Sequence, residues 1–289
     1  MLICPKCGLP LSLKEKSACC ENGHSFDRAR QGYWNLLMDN SSHGHGDDKK
    51  MLQSRRSFLE GGYYEPLADQ LSETVAELFP RRGVLLDAGC GEGYYTQKLD
   101  AALKKAGKEP SLYAFDIAKE AVRMTAGKLE KKGTFFVAST FHIPMKTASA
   151  DVALSLFAPY SEEEFLRVLR PQGYLVRAVP LEDHLYRLKK AVYDHPVKNE
   201  KKAVIGEGFV LLSETELRGE IRLDSPEKIR TLIYTLRQVT PDPTESTDPT
   251  GETTADTSSG EQSRKRSCRS AAVRNGNPNP FLTGTAIPC

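Results

Sequence analysis

Apolar residues recur in two alternating rhythms through most of this chain. Val84–Leu86, Leu112–Phe115, Thr134–Ala138, Val152–Phe157 and Tyr174–Val179 are short apolar runs, the pattern of strands buried on both faces of a parallel sheet. Between them the spacing turns helical. Tyr94, Leu99 and Leu103 begin one helix, Lys119–Lys131 carries a second, and Ser161 with Glu164 three residues on caps a third. This alternation predicts a doubly wound α/β sheet with helices on both faces. Two helices precede it: Met51–Leu59, ended by Gly61-Gly62, and a second from Tyr63 to Phe79. Behind it come a helix from Asp183 to Val192, strands at Phe209–Leu212 and Glu216–Leu223, and a helix opened by Ser225-Pro226.

Two stretches drop out of both rhythms. Asp39–Lys50 has no apolar side chain and reads as a flexible linker, with His43 and His45 simply solvated. From Thr240 to Ala272 there is no Val, Ile, Leu, Met, Phe, Tyr or Trp. Such a segment cannot bury enough apolar area to offset its ordering entropy. The expected layout is therefore a small module at 1–38, a linker and connecting helix at 39–65, the sheet domain at 66–238 and a disordered tail at 239–289.

Bulk composition changes little until the cysteines. The 289 residues carry a formal net charge of +2, so any nucleic-acid-binding surface must be local. No charged-then-apolar leader and no membrane-length apolar run is present, which points to a cytoplasmic protein with no membrane partner. Seven cysteines are an odd count, and Cys4, Cys7, Cys19 and Cys20 crowd the start of the chain. Clustering of that kind in a cytosolic protein points to a metal before disulfides. Cys4-x2-Cys7 followed by Cys20-x3-His24 supplies two ligand pairs, the arrangement of a tetrahedral zinc site. Cys19 competes for the third position; the spacing to His24 favours Cys20. Phe26, Tyr33 and Trp34, with Arg28 and Arg30, could stack on single-stranded nucleic acid; alternatively Phe26 and Trp34 roof the module or dock it onto the next domain, and the second reading is preferred.

The candidate chemistry lies at Val84–Tyr95. Asp87 ends the first strand, and Gly89, Gly91 and Gly93 follow at alternate positions before a helix opens at Tyr94. Glycines there let the backbone turn tightly and let a ligand approach closely. Asp87-Ala-Gly-Cys-Gly-Glu-Gly93 resembles the first motif of the Rossmann-like S-adenosylmethionine-dependent methyltransferases. The glycine spacing departs from the dinucleotide fingerprint, and Glu92 would repel a phosphate but suits a cationic ligand. Asp116, at the tip of the next strand, is placed to accept hydrogen bonds from ribose hydroxyls. The resemblance implies cofactor contacts from Asp87, Gly89, Gly91, Glu92, Gly93, Tyr94, Tyr95, Asp116 and Ser139. Phe157-Ala-Pro159-Tyr160, at a later strand tip, offers Pro159 and Tyr160 as candidates to hold a target base.

A longer series narrows the family. Cys4-Pro-x-Cys7, Cys20-x3-His24-x-Phe-Asp27, Gly32-Tyr-x-Asn-Leu-Leu37, Arg55-Arg-x-Phe-Leu59, Tyr64-x-Pro-Leu67 and the glycine loop occur in this order. The series resembles the bacterial guanine-N1 methyltransferases that modify a hairpin of 23S ribosomal RNA. That resemblance implies Zn2+ on Cys4, Cys7, Cys20 and His24, S-adenosyl-L-methionine as cofactor, a 23S rRNA hairpin as partner and a homodimer as candidate assembly. The alternatives are a methyltransferase for another RNA, a protein or a small molecule, or an inactive zinc-bearing RNA-binding protein. In the resembled family the chain ends with a last strand of the sheet. The break near Arg237 therefore suggests a reading-frame shift, a sheet without that strand and an exposed edge.

Overall fold

The computed structural model describes residues 1–38, 47–200, 206–236 and 262–275. Three short strands, β1 (Ser12–Leu13), β2 (Ser17–Cys19) and β3 (Ser25–Asp27), form an antiparallel sheet around the N-terminal cysteines. After β4 (Tyr33–Asn35) come two helices, α1 (Lys49–Glu60) and α2 (Glu65–Leu78). The alternating part then runs β5 (Arg82–Ala88), α3 (Tyr94–Lys105), β6 (Glu109–Asp116), α4 (Lys119–Lys128), β7 (Thr134–Val137), β8 (Ala150–Leu156), α5 (Glu162–Val168) and β9 (Leu169–Pro180). It closes with α6 (Tyr186–Val192), β10 (Phe209–Leu223), α7 (Pro226–Leu236) and β11 (Gln262–Asn275). Among these residues no helix is long and apolar enough to cross a membrane.

The eight-stranded sheet has the order β10-β11-β9-β8-β5-β6-β7-β4. β5 lies between β6 and β8, where the chain reverses its direction of travel across the sheet, so a crevice opens at the carboxyl ends of these strands. Leu85 and Leu86 show why β5 sits centrally. Both are fully buried, yet they join hydrophobic clusters on opposite faces. One cluster takes in α2, α3, α6 and α7; the other takes in α5 and the N-terminal module.

Three expectations take a definite form. First, the module at 1–38 is joined to the sheet, because β4 pairs parallel with β7 and Trp34 lies opposite Phe136. The Ile3 amide also donates to the Pro144 carbonyl at 3.0 Å, and that of Lys146 to the Met1 carbonyl at 3.0 Å. Second, the linker is shorter than its composition suggests. Asp48 caps α1 by accepting from the Met51 amide at 2.8 Å, and Lys49 and Lys50 already belong to the helix. Most of the predicted linker, with His43 and His45, lies outside the described residues. Third, the two strands expected around Ser213 are one strand, β10, whose pairing register shifts between Leu211 and Ser213.

The largest correction concerns the tail expected to be disordered. Its described part, Gln262–Asn275, is β11, inserted antiparallel between β9 and β10. The sheet thus has the strand whose loss a reading-frame shift would entail. The physical reason is that a strand with two neighbours gains two ladders of backbone hydrogen bonds, and small side chains suffice to fill its faces. Cys268, Ala271, Ala272 and Val273 are each at most 3% exposed. Polar groups then set the position: Arg269 pairs with Glu214 at 2.8 Å and Glu216 at 2.7 Å. The Asn275 amide donates to the carbonyls of Leu166, Leu169 and Arg170 at 3.4, 3.5 and 3.3 Å. The remaining tail lies outside the described residues.

Candidate functional site

Two centres hold the chemistry. In the N-terminal module, Gly8 and Gly23 take positive φ values of 73° and 79° at tight knuckles. At these knuckles the Gly8 amide donates to the Cys4 carbonyl at 2.8 Å and the Gly23 amide to the Cys20 carbonyl at 3.0 Å. The knuckles turn Cys4, Cys7, Cys20 and His24 inward until their ligand atoms all lie within 4.8 Å of one another. Cys7 and Cys20 sulfurs are 3.7 Å apart, and His24 Nδ1 is 3.5 Å from both Cys4 and Cys20 sulfurs. A tetrahedral zinc with ordinary bond lengths requires about 3.8 Å between sulfurs and about 3.6 Å between sulfur and nitrogen. The donor set fits zinc. The Leu9 amide, first among several contacts, holds the Cys7 thiol down at about 6. Cys19 is outside the group and faces Ser25 Oγ at 3.4 Å.

Trp34 is 4% exposed beneath the Arg28 guanidinium, 4.8 Å from the ring centroid. It roofs the module and docks it on the sheet; it is not a free stacking surface.

The second centre is the carboxyl edge of β5, β6 and β8. Gly89 (φ 81°) must lack a side chain because a Cβ there would come within 2.5 Å of the Ala158 Cβ, so the loop abuts the tip of β8. Gly91 (φ 54°) differs: a Cβ added there would meet nothing within 4 Å. Its outer side is open to a ligand. Beside it, Asp116 accepts from the Gly91 amide at 3.0 Å and the Ala118 amide at 2.9 Å, one on each oxygen. Each oxygen keeps a lone pair for a further donor. Burial is the main cause raising the Asp116 carboxyl, against the pull of those two amides. Asp87 is 2% exposed and accepts from the Thr96 hydroxyl at 2.6 Å; burial raises it to about 6. A buried carboxylate, Asp87, and a half-buried one, Asp116, near one open face suit a cationic ligand with a diol, as S-adenosylmethionine is.

Other expected contacts are arranged differently. Glu92 is 2% exposed, and its carboxylate takes the Lys128 ammonium at 2.6 Å and the Tyr94 amide at 3.1 Å. It braces the loop against α4. Gly93 caps α3, and Tyr94 and Tyr95 follow it edge to face with centroids 5.1 Å apart. Ser139 Oγ accepts from the Phe141 amide at 3.2 Å in a turn after β7, leaving Phe141 exposed. Arg55 pairs with Asp47.

Pro159 is exposed, whereas the Tyr160 ring is half-buried and covered by neighbours. Its ring lies under the Arg177 guanidinium, 3.8 Å from the centroid, and stacks on Phe165 at 5.5 Å. Burial pushes its phenol up to about 12. The residue at the open edge is Phe157, with Tyr64, Tyr95 and His184 around it. Tyr64 Oη and His184 Nε2 share a hydrogen bond of 2.6 Å. Tyr64 lay in a quoted motif, but nothing in the spacing linked it to His184 far along the chain.

Replacing Asp116 by Ala is expected to weaken S-adenosylmethionine binding about 10- to 150-fold, the scale of a hydrogen bond to a charged group. Titration calorimetry reads this directly, and unchanged affinity would remove Asp116 from the site. Asp87 yields a pH dependence. Its folded pKa of about 6 exceeds its ordinary 3.8, so this group stabilises the unliganded fold below 3.8 and that contribution is lost as pH rises through 6. A cationic ligand needs the ionised form, so affinity should fall about tenfold per unit as pH drops below that value. Titrations from acid to neutral pH check the sign.

Comparison with known proteins follows the same division. Residues 2–41 match the zinc-ribbon family model described as RlmA, N-terminal, and residues 86–177 match a methyltransferase domain. A 23S rRNA (guanine(748)-N(1))-methyltransferase from Streptomyces fradiae is 32% identical over 77% of this chain and 80% of its own length. A protein from Micromonospora griseorubida, named for the same 23S rRNA guanine-N1 reaction, is 34% identical over 65% of this chain and 68% of its own. A third so named, from Bacillus subtilis, is 30% identical over 72% and 75%.

Proposed function

The chain belongs to the 23S rRNA guanine-N1 methyltransferase family, and from that premise we propose that it methylates N1 of a guanine in a hairpin of 23S rRNA. The observation that carries the reading is the open side of Gly91 beside Asp116, at the carboxyl edge of a sheet fused to a Cys/His centre. S-adenosyl-L-methionine supplies the electrophilic methyl group when bound. Asp116 would hold the ribose hydroxyls, the Gly91 backbone would allow close approach, and Asp87 would face the positive charge. Gly89, Gly93, Tyr94, Tyr95 and Ser139 would complete the walls. Cys4, Cys7, Cys20 and His24 would hold zinc with four protein ligands, a closed structural site that supplies folding energy rather than chemistry.

The target guanine must leave its stack to reach this edge. Its N1 carries a proton in the neutral base; as the N–C bond forms, the methyl–sulfur bond breaks with its electron pair left on sulfur, and the proton passes to water. Alignment of nitrogen with the methyl carbon would supply much of the rate. On this reading the protein would act in the cytoplasm, with a homodimer as the proposed assembly.

Primer extension on 23S rRNA from cells with and without the gene tests the reading. N1 methylation blocks Watson–Crick pairing, so reverse transcriptase should halt one base short of the target. A stop that persists without the gene, or no stop at all, overturns it.

A further inference from the structure

Phe157 is an anomaly at the edge of the sheet. It follows β8, where the sheet's interior residues end, yet its ring is 39% exposed. Its backbone has φ 55°, the left-handed region that bulky residues avoid, and its amide donates to the Ala178 carbonyl at 2.9 Å. Non-glycine residues persist there only where the surroundings impose it, and such residues concentrate at functional sites. Here the surroundings are three aromatic rings. Tyr64 meets Phe157 edge-on, with centroids 6.3 Å apart and planes at 90°. His184 lies nearly parallel, at 6.4 Å and 22°. Tyr95 approaches at 6.4 Å, tilted by 42°. The Tyr64–His184 hydrogen bond locks two of these neighbours together.

The next residue, Ala158, is the one that packs against Gly89 of the ligand loop. The exposed ring therefore stands one residue from the contact between the β8 tip and the cofactor-type loop. Tyr160, the other aromatic of this tip, is covered by Arg177 and Phe165.

Resting on the reading above, we propose that Phe157 is the platform on which the extruded guanine stacks during methyl transfer. Planar, apolar and buttressed, it offers a base the same kind of π-face it leaves behind in the duplex. Tyr64, Tyr95 and His184 are its positioning residues. The left-handed backbone keeps the ring at the edge of the sheet instead of in its core.

Phe157→Ala and Phe157→Trp test this against the parent, on protein-free 23S rRNA transcribed from the source organism's gene. Phe157→Ala should slow single-turnover methyl transfer about 5- to 150-fold, the range of one base–aromatic stack, with S-adenosylmethionine affinity within about twofold of the parent. Phe157→Trp should restore most of that rate. The chain has one native tryptophan, the buried Trp34. The emission added by Phe157→Trp should be quenched when rRNA is added with S-adenosylhomocysteine, while the parent's emission stays constant. An alanine variant as fast as the parent overturns the proposal, as does a tryptophan variant that methylates rRNA without quenching. Should Phe157→Ala fail to fold, the rate and quenching of Phe157→Trp decide alone. A parent that transfers no methyl to rRNA overturns the proposed function, and the platform with it.

Discussion

Ending the chain at Leu236 is expected to abolish soluble protein. The truncation removes β11, and β10 then loses its partner, because among the described residues β11 is its sole neighbour in the sheet. β9 loses the pairing that runs from Tyr174 to Pro180. The buried faces of Cys268, Ala271, Ala272 and Val273 go with it. A loss of this size rivals the whole stability of a domain, about 5–15 kcal/mol. What remains would show two unpaired edges, with Val210, Leu211 and Leu212 already exposed on β10. A second truncation, after Asn275, keeps the strand and should retain a thermal midpoint close to the full chain. Soluble yield and thermal unfolding of the two proteins decide the matter. If the shorter form is as soluble and stable as the parent, Gln262–Asn275 is not part of the sheet.

Removing the metal should reach further than the module itself. Cys20→Ser, or a strong chelator, deletes a site of the kind that contributes about 10–16 kcal/mol to local folding. If the module were an independent appendage, the sheet would remain untouched. But β4 is the sheet's outermost strand, and Trp34 and Leu36 pack in one cluster with Phe115, Phe136 and Met145. Zinc loss should therefore free the β7 edge and lower the thermal midpoint of the whole protein. Trp34 reports the event, since its emission should shift to the red as it leaves a site where it is 4% exposed. A parent protein without zinc, or zinc release that leaves Trp34 emission unchanged, would sink this account.

How far the sequence could be read depended on the kind of signal each element carries. β5 and its loop were plain because large apolar residues and glycines mark backbone facts: burial on both faces, and turns that side chains would block. The cysteine spacing was equally direct, since ligand geometry constrains spacing along the chain. β11 was invisible for the opposite reason. Among its described residues the buried ones are Cys268, Ser270, Ala271, Ala272, Val273 and Asn275, one branched aliphatic among small and polar side chains, too little for a hydropathy pattern, and its stability comes from neighbours on both sides. β4 is three residues long, too short for any periodicity. At the tip of β8 the sequence offered Phe157 and Tyr160 alike. Only the fold distinguishes them, sending Tyr160 to the α5 side under Arg177 and leaving Phe157 beside Tyr64 and His184. Nor could spacing show that a lysine thirty-six positions on, Lys128, pairs with Glu92.

The order of the strands also sets a timetable for synthesis. The metal module can close as soon as His24 leaves the ribosome, so the β4 border exists long before β7 arrives to use it. The opposite border has no such head start. β10 emerges when β9 is already present, yet the place beside β9 belongs to β11, which is made later. During that interval β10 can pair with β9 directly, in a register the finished sheet does not contain, or with another nascent chain. The final strand must then be inserted between two others rather than added at an edge. Folding yield should accordingly depend on how quickly the segment after Leu223 is translated, and on chaperones that keep β9 and β10 apart until it is.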